Sequence, residues 1–580
     1  MNVFVLSSRL SSRRFAPRAL AGRQTAVAIL FATFFISTIH ADGEKSSFNA
    51  QVEELYRNFR ENPKEALSKP TPRDYSKALE YKKYLDSLGS NITILKESTH
   101  TYHDWTRRKI VKNKSQLLDA GKRPWNGNDD PDLFFTDPSL IEKKIAQLPQ
   151  TAQLSSIPWS SYYWALKYGS SAARYSLGLK FPTWKDFFNS YLQPQEFDKL
   201  ERPIADSSKI DFYSPAEKYD ILMGDNTFSL TNTLRLQGAS FLKNIEWKLD
   251  QDQNIIGVET IDGDVEPWMG LCHGWSAASY KAPRPLRGLE VESINGDKVY
   301  FHQDDLKSLA VLKYAQSKSE SRFVGGRCNI KESNITKDEQ TGAILDDDCF
   351  DTNPGTFHII AMNKLSHGES FVIDATYDYE VWNQPVVAAT VTYFNPKLGR
   401  SVDNMEEAIV PYGFKGDIFK KVREIKRKKT KKIKPKKIVG VAMNLLYIVE
   451  TMPKQGASLP DQVVEATYLY DLELDKDGNI VGGEWYSNLH PDFIWDSILD
   501  FNVWPSNEID NYLQKENLAY DGSKASLTKI LEVGIEDERG EIINAAQLSS
   551  RPQSRSSGLG DESPLATVLK YFFELASKKE

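Results

Sequence analysis

The chain has 580 residues, of which 40% are hydrophobic and 26% charged, so it is too long for one hydrophobic core and two or more packed units are expected. The formal net charge is -6 and the pI is near 5.9, which excludes a molecule that binds polyanions over its whole surface. Any basic feature must be local.

The first 41 residues read as a signal peptide. Arg9, Arg13, Arg14, Arg18 and Arg23 form a basic leader, Ala26 to Ile39 is apolar, and Ile39-His40-Ala41 offers a small-residue cleavage site. The apolar stretch is shorter than the roughly 20 residues that a membrane span needs, although an uncleaved anchor is the alternative. Ser12-Arg13-Arg14-Phe15 is a short match to a twin-arginine signal. The expected product is secreted, to the extracellular space or cell wall (the periplasm or outside if the host is bacterial), with no membrane span after cleavage.

Residues 42–205 read as a mostly helical N-terminal region, a possible pro-segment removed on activation. Ala50–Asn58 and Pro72–Leu88 carry apolar residues at three- and four-residue spacing. Ser156–Ser176, rich in Trp and Tyr, is expected to be a packed aromatic helix or a helix covering a groove. From about residue 206 to 500 the texture changes to short runs rich in Val, Ile, Tyr, Thr and Phe: Val258–Thr260, Lys298–Phe301, Phe371–Asp374, Val386–Phe394, Ile438–Glu450 and Ala466–Leu474. Leu306–Gln316 is helix-like. This mixture predicts an α+β core with a helix packed on an antiparallel sheet.

The basic run 420–437 stands between two strand-like segments. It reads as a solvated hairpin extension or linker, or as a contact for an anionic wall or surface polymer; with no aromatic residue interleaved, specific nucleic-acid binding is not expected. Leu474–Glu484 contains Asp477-Gly478 and reads as a hairpin turn. Asp475, Asp477 and Glu484 also fall at calcium-loop spacing, but the flanks alternate like strands rather than helices. Residues 501–580 form a C-terminal extension, low in complexity from 545 to 563 and ending in an amphipathic helix from Pro564.

There are three cysteines. Cys328 and Cys349 share a polar loop, and a disulfide between them, closing about 20 residues, contributes on the order of 3 kcal/mol. Cys272 is left free. It lies in Pro267-Trp268-Met269-Gly270-Leu271-Cys272-His273-Gly274-Trp275-Ser276-Ala277-Ala278. Gly270 allows a tight turn and the small residues after Cys272 suit a helix, which places the thiol at a helix N-terminus where the dipole favours a thiolate. A buried structural cysteine is the alternative. His358 follows a Pro-Gly turn in an apolar, strand-like segment, and Asp374 ends the next apolar run. Two neighbouring antiparallel strands joined by Leu365–Ser370 would bring them together. A thiol needs a base, and the base a carboxylate to hold its tautomer; Cys272, His358 and Asp374 supply those roles. A satisfied core or surface histidine is the other reading of His358. His302 and His367 are the other candidate bases.

The order Cys, His, then Val372-Ile373-Asp374-Ala375-Thr376 resembles the transglutaminase core. Val381-Trp382-Asn383-Gln384-Pro385-Val386 resembles the start of the elicitor peptide of the secreted Phytophthora-type transglutaminases and their bacterial relatives, and Gly482-Gly483-Glu484-Trp485 with His490-Pro491-Asp492-Phe493 is similar to that family too. The resemblance spans about residues 155–500. After Val386 the chain departs from the elicitor peptide. The resemblance implies a papain- or transglutaminase-like core and a protein-glutamine gamma-glutamyltransferase, with glutamine- and lysine-containing proteins as substrates and calcium as cofactor. Trp268 or Trp275 would serve the oxyanion hole or shield the thioester. Two other readings stand: a papain-like cysteine peptidase or amidase, and a non-enzymatic secreted elicitor or surface-binding protein.

Overall fold

The computed structural model describes residues 41–69, 71, 75–95, 129–191, 207–253, 255–316, 321–326, 328, 332–346, 349–376, 380–430, 433–501, 520–532, 534–536, 542–544 and 564–578. Residues 1–40, nearly all of the expected leader, and the low-complexity segment 545–563 lie outside them.

The chain opens with helices α1 (Ala41–Glu61), α2 (Pro63–Ala66) and α3 (Tyr75–Ser87), as the apolar spacing predicts, then strands β1 (Ile92–Leu95) and β2 (Thr151–Gln153). The aromatic segment 156–176 is not one helix. It is irregular chain with short 3-10 turns, interrupted where Trp164, Gly169 and Ser170 take positive φ. Its apolar side chains are nonetheless core: Trp159 and Trp164 are fully buried. Helices α4 (Trp184–Tyr191), α5 (Pro215–Leu222) and α6 (Ser229–Leu236) lead to a two-stranded ribbon, β3 (Lys243–Leu249) with β4 (Ile255–Asp262).

Next come α7 (Cys272–Lys281), a second ribbon of β5 (Leu289–Glu292) with β6 (Lys298–Phe301), α8 (Gln303–Gln316), β7 (Ser321–Gly325) and α9 (Pro354–Ser366). The remaining elements of the main sheet are β8 (Val372–Asp374), β9 (Asn383–Asn395), β10 (Arg400–Val402), β11 (Val410–Pro411), β12 (Lys437–Val449), β13 (Asp461–Leu474), β14 (Ile480–Trp485) and β15 (Phe493–Ser497), with α10 (Met405–Ala408) and α11 (Lys420–Thr430) inserted. The sheet runs β1-β13-β12-β9-β8-β15-β7. Among the described residues of this sheet, only the β1–β13 pair is parallel. β2 lies on the edge of β9 beyond β8, at residues 388–390, so residues before 206 contribute two strands to the same sheet as the central strands. β12 reads as a nearly continuous apolar run because it is central and covered on both faces. The fold is therefore mixed α and β with antiparallel pairing, and α7 packs on α8 and β9. Gly274 lets α7 and α8 approach: a Cβ there would stand 2.3 Å from the Val311 carbonyl.

Two sequence readings change. His358 lies not on a strand but in α9, and Leu365–Ser370 joins a helix to a strand. Asn353 caps α9, its side chain accepting from the Gly355 amide, and Pro354 takes the first helical position. The basic run is not an independent hairpin or linker either: its first half is α11, docked on the sheet. Buried Arg423 binds Asp471 through two nitrogens at 2.5 and 2.9 Å, reaches Glu473 at 3.1 Å and faces Asp417 at 3.6 Å. The Asp475–Asn479 segment is a hairpin turn between β13 and β14, with Gly478 in the left-handed region. The disulfide pairs Cys328 with Cys349, and the C-terminal helix forms over Pro564–Ala576.

Removing Arg423 leaves buried carboxylates without their shared cation. Arg423→Ala is expected to cost about 3–5 kcal/mol in urea unfolding at neutral pH. Burial already raises the Glu473 and Asp417 carboxyls. In the variant they bind protons more readily folded than unfolded, so the deficit narrows as pH falls.

Candidate active site

Cys272 is the first residue of α7, whose leading amides have no partner within the helix. The loop before it is held by the 156–176 segment: the Leu271 amide donates to the Tyr163 carbonyl at 2.6 Å, and the Tyr163 hydroxyl donates to the Pro267 carbonyl at 2.6 Å. Gly270 permits this approach, since a Cβ there would lie 2.4 Å from the Tyr163 ring. The thiol is the only free one and is buried. The Asn383 side-chain amide donates to Sγ at 3.3 Å, and Sγ lies 3.6 Å from the Val381 carbonyl. The elicitor-like segment is thus the wall of the thiol site.

The same segment supports the rest of the site. The Trp382 amide donates to Asp374 at 3.2 Å, and Thr376 donates to the same carboxylate oxygen through its hydroxyl at 3.0 Å. Gln384 donates to both oxygens of Glu450 at 3.0 Å. The Trp495 indole donates to Asn383 Oδ1 at 2.7 Å. Tyr163 and Trp382 meet edge to face at 5.1 Å. Burial pushes the Cys272 thiol up to about 11; Asn383 opposes that shift, while the charges of Glu450 and Asp374 add to it. Burial and the two carboxylates thus both favour the neutral form of the thiol.

Cys272 and Asp374 are brought within electrostatic reach; His358 is not brought with them. Its Nδ1 pairs with the Tyr470 hydroxyl at 2.7 Å. Burial alone drives its pKa down to about 3, whereas a neighbouring carboxylate or thiolate would act in the opposite direction. His358 is a core histidine. His302 accepts from the Gly456 amide at the start of α8, and His367 is exposed beyond α9. Among the described residues no histidine bonds to Cys272; His40, His100 and His103 lie outside them. Trp275 donates its indole N–H to the Trp159 carbonyl and Trp268 donates its own to Glu266, so neither turns that group to the sulfur. The residues missed by sequence reasoning are Asn383 as a donor and Glu450. Glu450 carries the same signal that selected Asp374, a carboxylate at the end of an apolar run.

The calcium candidates do not form a metal site. Asp475 accepts from the Asp477 and Asn479 amides, Glu484 binds Lys426 at 2.6 Å, and among the described residues no cluster of three or more His, Cys, Asp or Glu is arranged to hold a metal.

His358 makes a testable contribution to stability. The unfolded ring takes up a proton near pH 6.5, the folded one only near 3. Between those values the unfolded chain binds more protons, so stability falls on acidification by up to about 1.4 kcal/mol per pH unit. In urea unfolding from pH 6.5 to 4, His358→Phe should show a slope shallower by about one proton.

Residues 258–499 match the family described as Transglutaminase elicitor. The chain is also similar to the crystal structure of the GP42 transglutaminase from Phytophthora sojae, at 22% identity, covering 62% of this chain and 86% of that one, with a TM-score of 0.38, too low to carry a fold argument. No curated protein matches the chain. The matched residues 258–499, which include Cys272, Asp374, Asn383, Glu450 and Trp495, are thus similar to the Transglutaminase elicitor family.

Proposed function

We propose that this chain is a secreted acyltransferase that joins glutamine side chains to primary amines through a thioester on Cys272. The observation that carries the reading is the free thiol at a helix N-terminus, met by the Asn383 amide and flanked by Asp374 and Glu450. The thiol attacks the glutamine carboxamide carbon, forming the C–S bond. Its proton passes to Asp374, directly or through one water, and on to the departing nitrogen, which leaves as ammonia. A primary amine arrives as an ammonium ion, attracted by the two carboxylates. It gives one proton to Asp374 and attacks the thioester carbon; sulfur departs and takes the second proton, restoring the thiol, and Asp374 returns its proton to solvent. The carboxylate pair favours an amine over water as acceptor and so favours acyl transfer over the peptidase or amidase reading.

The non-enzymatic elicitor reading meets a physical obstacle. Trp382, Asn383, Gln384 and Val386 are buried, so this segment is not displayed to a partner in the folded chain. Calcium, implied by the family resemblance, finds no site at Asp475, Asp477 and Glu484, and no step is assigned to it. No helix among the described residues is long and apolar enough to cross a membrane. For an anionic wall or surface polymer, the exposed cations of the basic run include, among the described residues, Lys420, Lys428, Lys434 and Lys436, Arg423 being used internally.

Incubation of the chain from Asp42 with a glutamine-rich protein and a fluorescent primary amine, with calcium or with chelator, tests the reading. Labelling is expected for the native chain and should be lost in Cys272→Ala. Cleavage or deamidation without labelling would instead support the amidase reading.

A further inference from the structure

The Asn383 carboxamide has two chemically different ends, and the structure decides which one meets the sulfur. An indole N–H is a donor only. Trp495 places it 2.7 Å from one end of the amide, which must therefore be the oxygen. The NH2 end then faces Sγ at 3.3 Å. Neither group sits on a loop. Asn383 is the first residue of β9 and pairs directly with Asp374 of β8, and Trp495 lies on β15, paired with Val372 of that same β8. Three adjacent strands thus set the sulfur's hydrogen-bond donor, the indole that orients it and the neighbouring carboxylate in one frame, against which α7 presents Cys272. Asn383 is buried and Trp495 is half-buried, so water competes little for the amide.

We propose that Asn383 is a catalytic residue that donates to the Cys272 sulfur as it loses its proton, and that Trp495 is the positioning residue that keeps the amide's donor end on the sulfur. This deepens the acyl-transfer reading, on which its catalytic part rests. The buried sulfur lies near two negative charges and needs a donor when it becomes anionic; an acceptor in the same place would oppose ionisation. Without the indole N–H the amide is free to rotate and present its oxygen instead. The Trp495 indole N–H bonds to Asn383, whereas the sulfur's partners are Asn383 and the Val381 carbonyl, so its effect on the thiol travels through Asn383.

The test is the pH dependence of alkylation of the full chain by iodoacetamide, followed at Cys272 by mass spectrometry. The other two cysteines are paired, so a single thiol reacts. Asn383→Ala and Trp495→Phe are each expected to move the profile to higher pH and to slow alkylation at a fixed pH by about tenfold or more. Asn383→Asp, which puts a carboxylate against the sulfur, should move it further. Trp495→His, which keeps a ring N–H, should recover part of the native profile. Near-UV circular dichroism confirms that each variant is folded. A Trp495→Phe profile superimposable on the native one would overturn the positioning role, and an unchanged Asn383→Ala profile would overturn both. The readout needs no acyl-transfer activity: shifted profiles in a chain that incorporates no amine would remove the proposed function while leaving the Asn383–Trp495 arrangement in place.

Discussion

The register between β8 and β9 is the constraint on which the site depends. Val372 pairs with Pro385, Ile373 with Gln384 and Asp374 with Asn383. Because side chains alternate, a slip of one residue would turn every side chain of the segment to the other face. Asn383 would leave the sulfur, and Gln384 would leave Glu450. The register is held from both sides. β12 pairs along the other edge of β9, with an irregularity between Leu446 and Tyr447, and β15 pairs with β8. β2 pairs with β9 farther along. The N-terminal chain therefore takes part in the sheet that builds the site, and residues 156–176 seat the loop before Cys272. Removing that stretch as a pro-segment would strip Trp159 and Trp164 from the core.

A second buried charge system, at Arg423, is structural. Its guanidinium neutralises Asp471 and Glu473 on β13 and ties α11 to the sheet. Near Cys272, Asp374 accepts from the Thr376 hydroxyl and Glu450 from the Gln384 amide, and burial raises the thiol itself.

The free thiol at a helix start was legible in the sequence. Gly270, then Cys272, then Ser276-Ala277-Ala278 marks a turn entering a tightly packed helix, and the strand runs at 371–374, 386–394, 438–450 and 466–474 are all strands in the fold. His358 was not legible. Phe357-His358-Ile359-Ile360-Ala361-Met362 is apolar throughout because α9 is buried all round, so hydrophobic period could not separate helix from strand. The deciding signal was local, an Asn-Pro helix start at 353–354. The basic run read as solvent-exposed because charge density hides one position, Arg423, whose partners Asp471 and Glu473 lie about 50 residues further along, on β13. The 156–176 segment read as a helix from its apolar content, while its backbone is broken by positive φ at Gly169, which glycine allows, and at Trp164 and Ser170, which tertiary packing sustains.

The most direct test of the central claim compares amine incorporation in Asp374→Asn and His358→Gln, each checked for folding by thermal unfolding. If Asp374 handles the proton beside Cys272 and His358 is a core residue, Asp374→Asn should lose about 100-fold or more in rate. His358→Gln should keep its rate to within about tenfold once corrected for the folded fraction. The reverse, a folded His358→Gln that is inactive beside an active Asp374→Asn, would contradict the account.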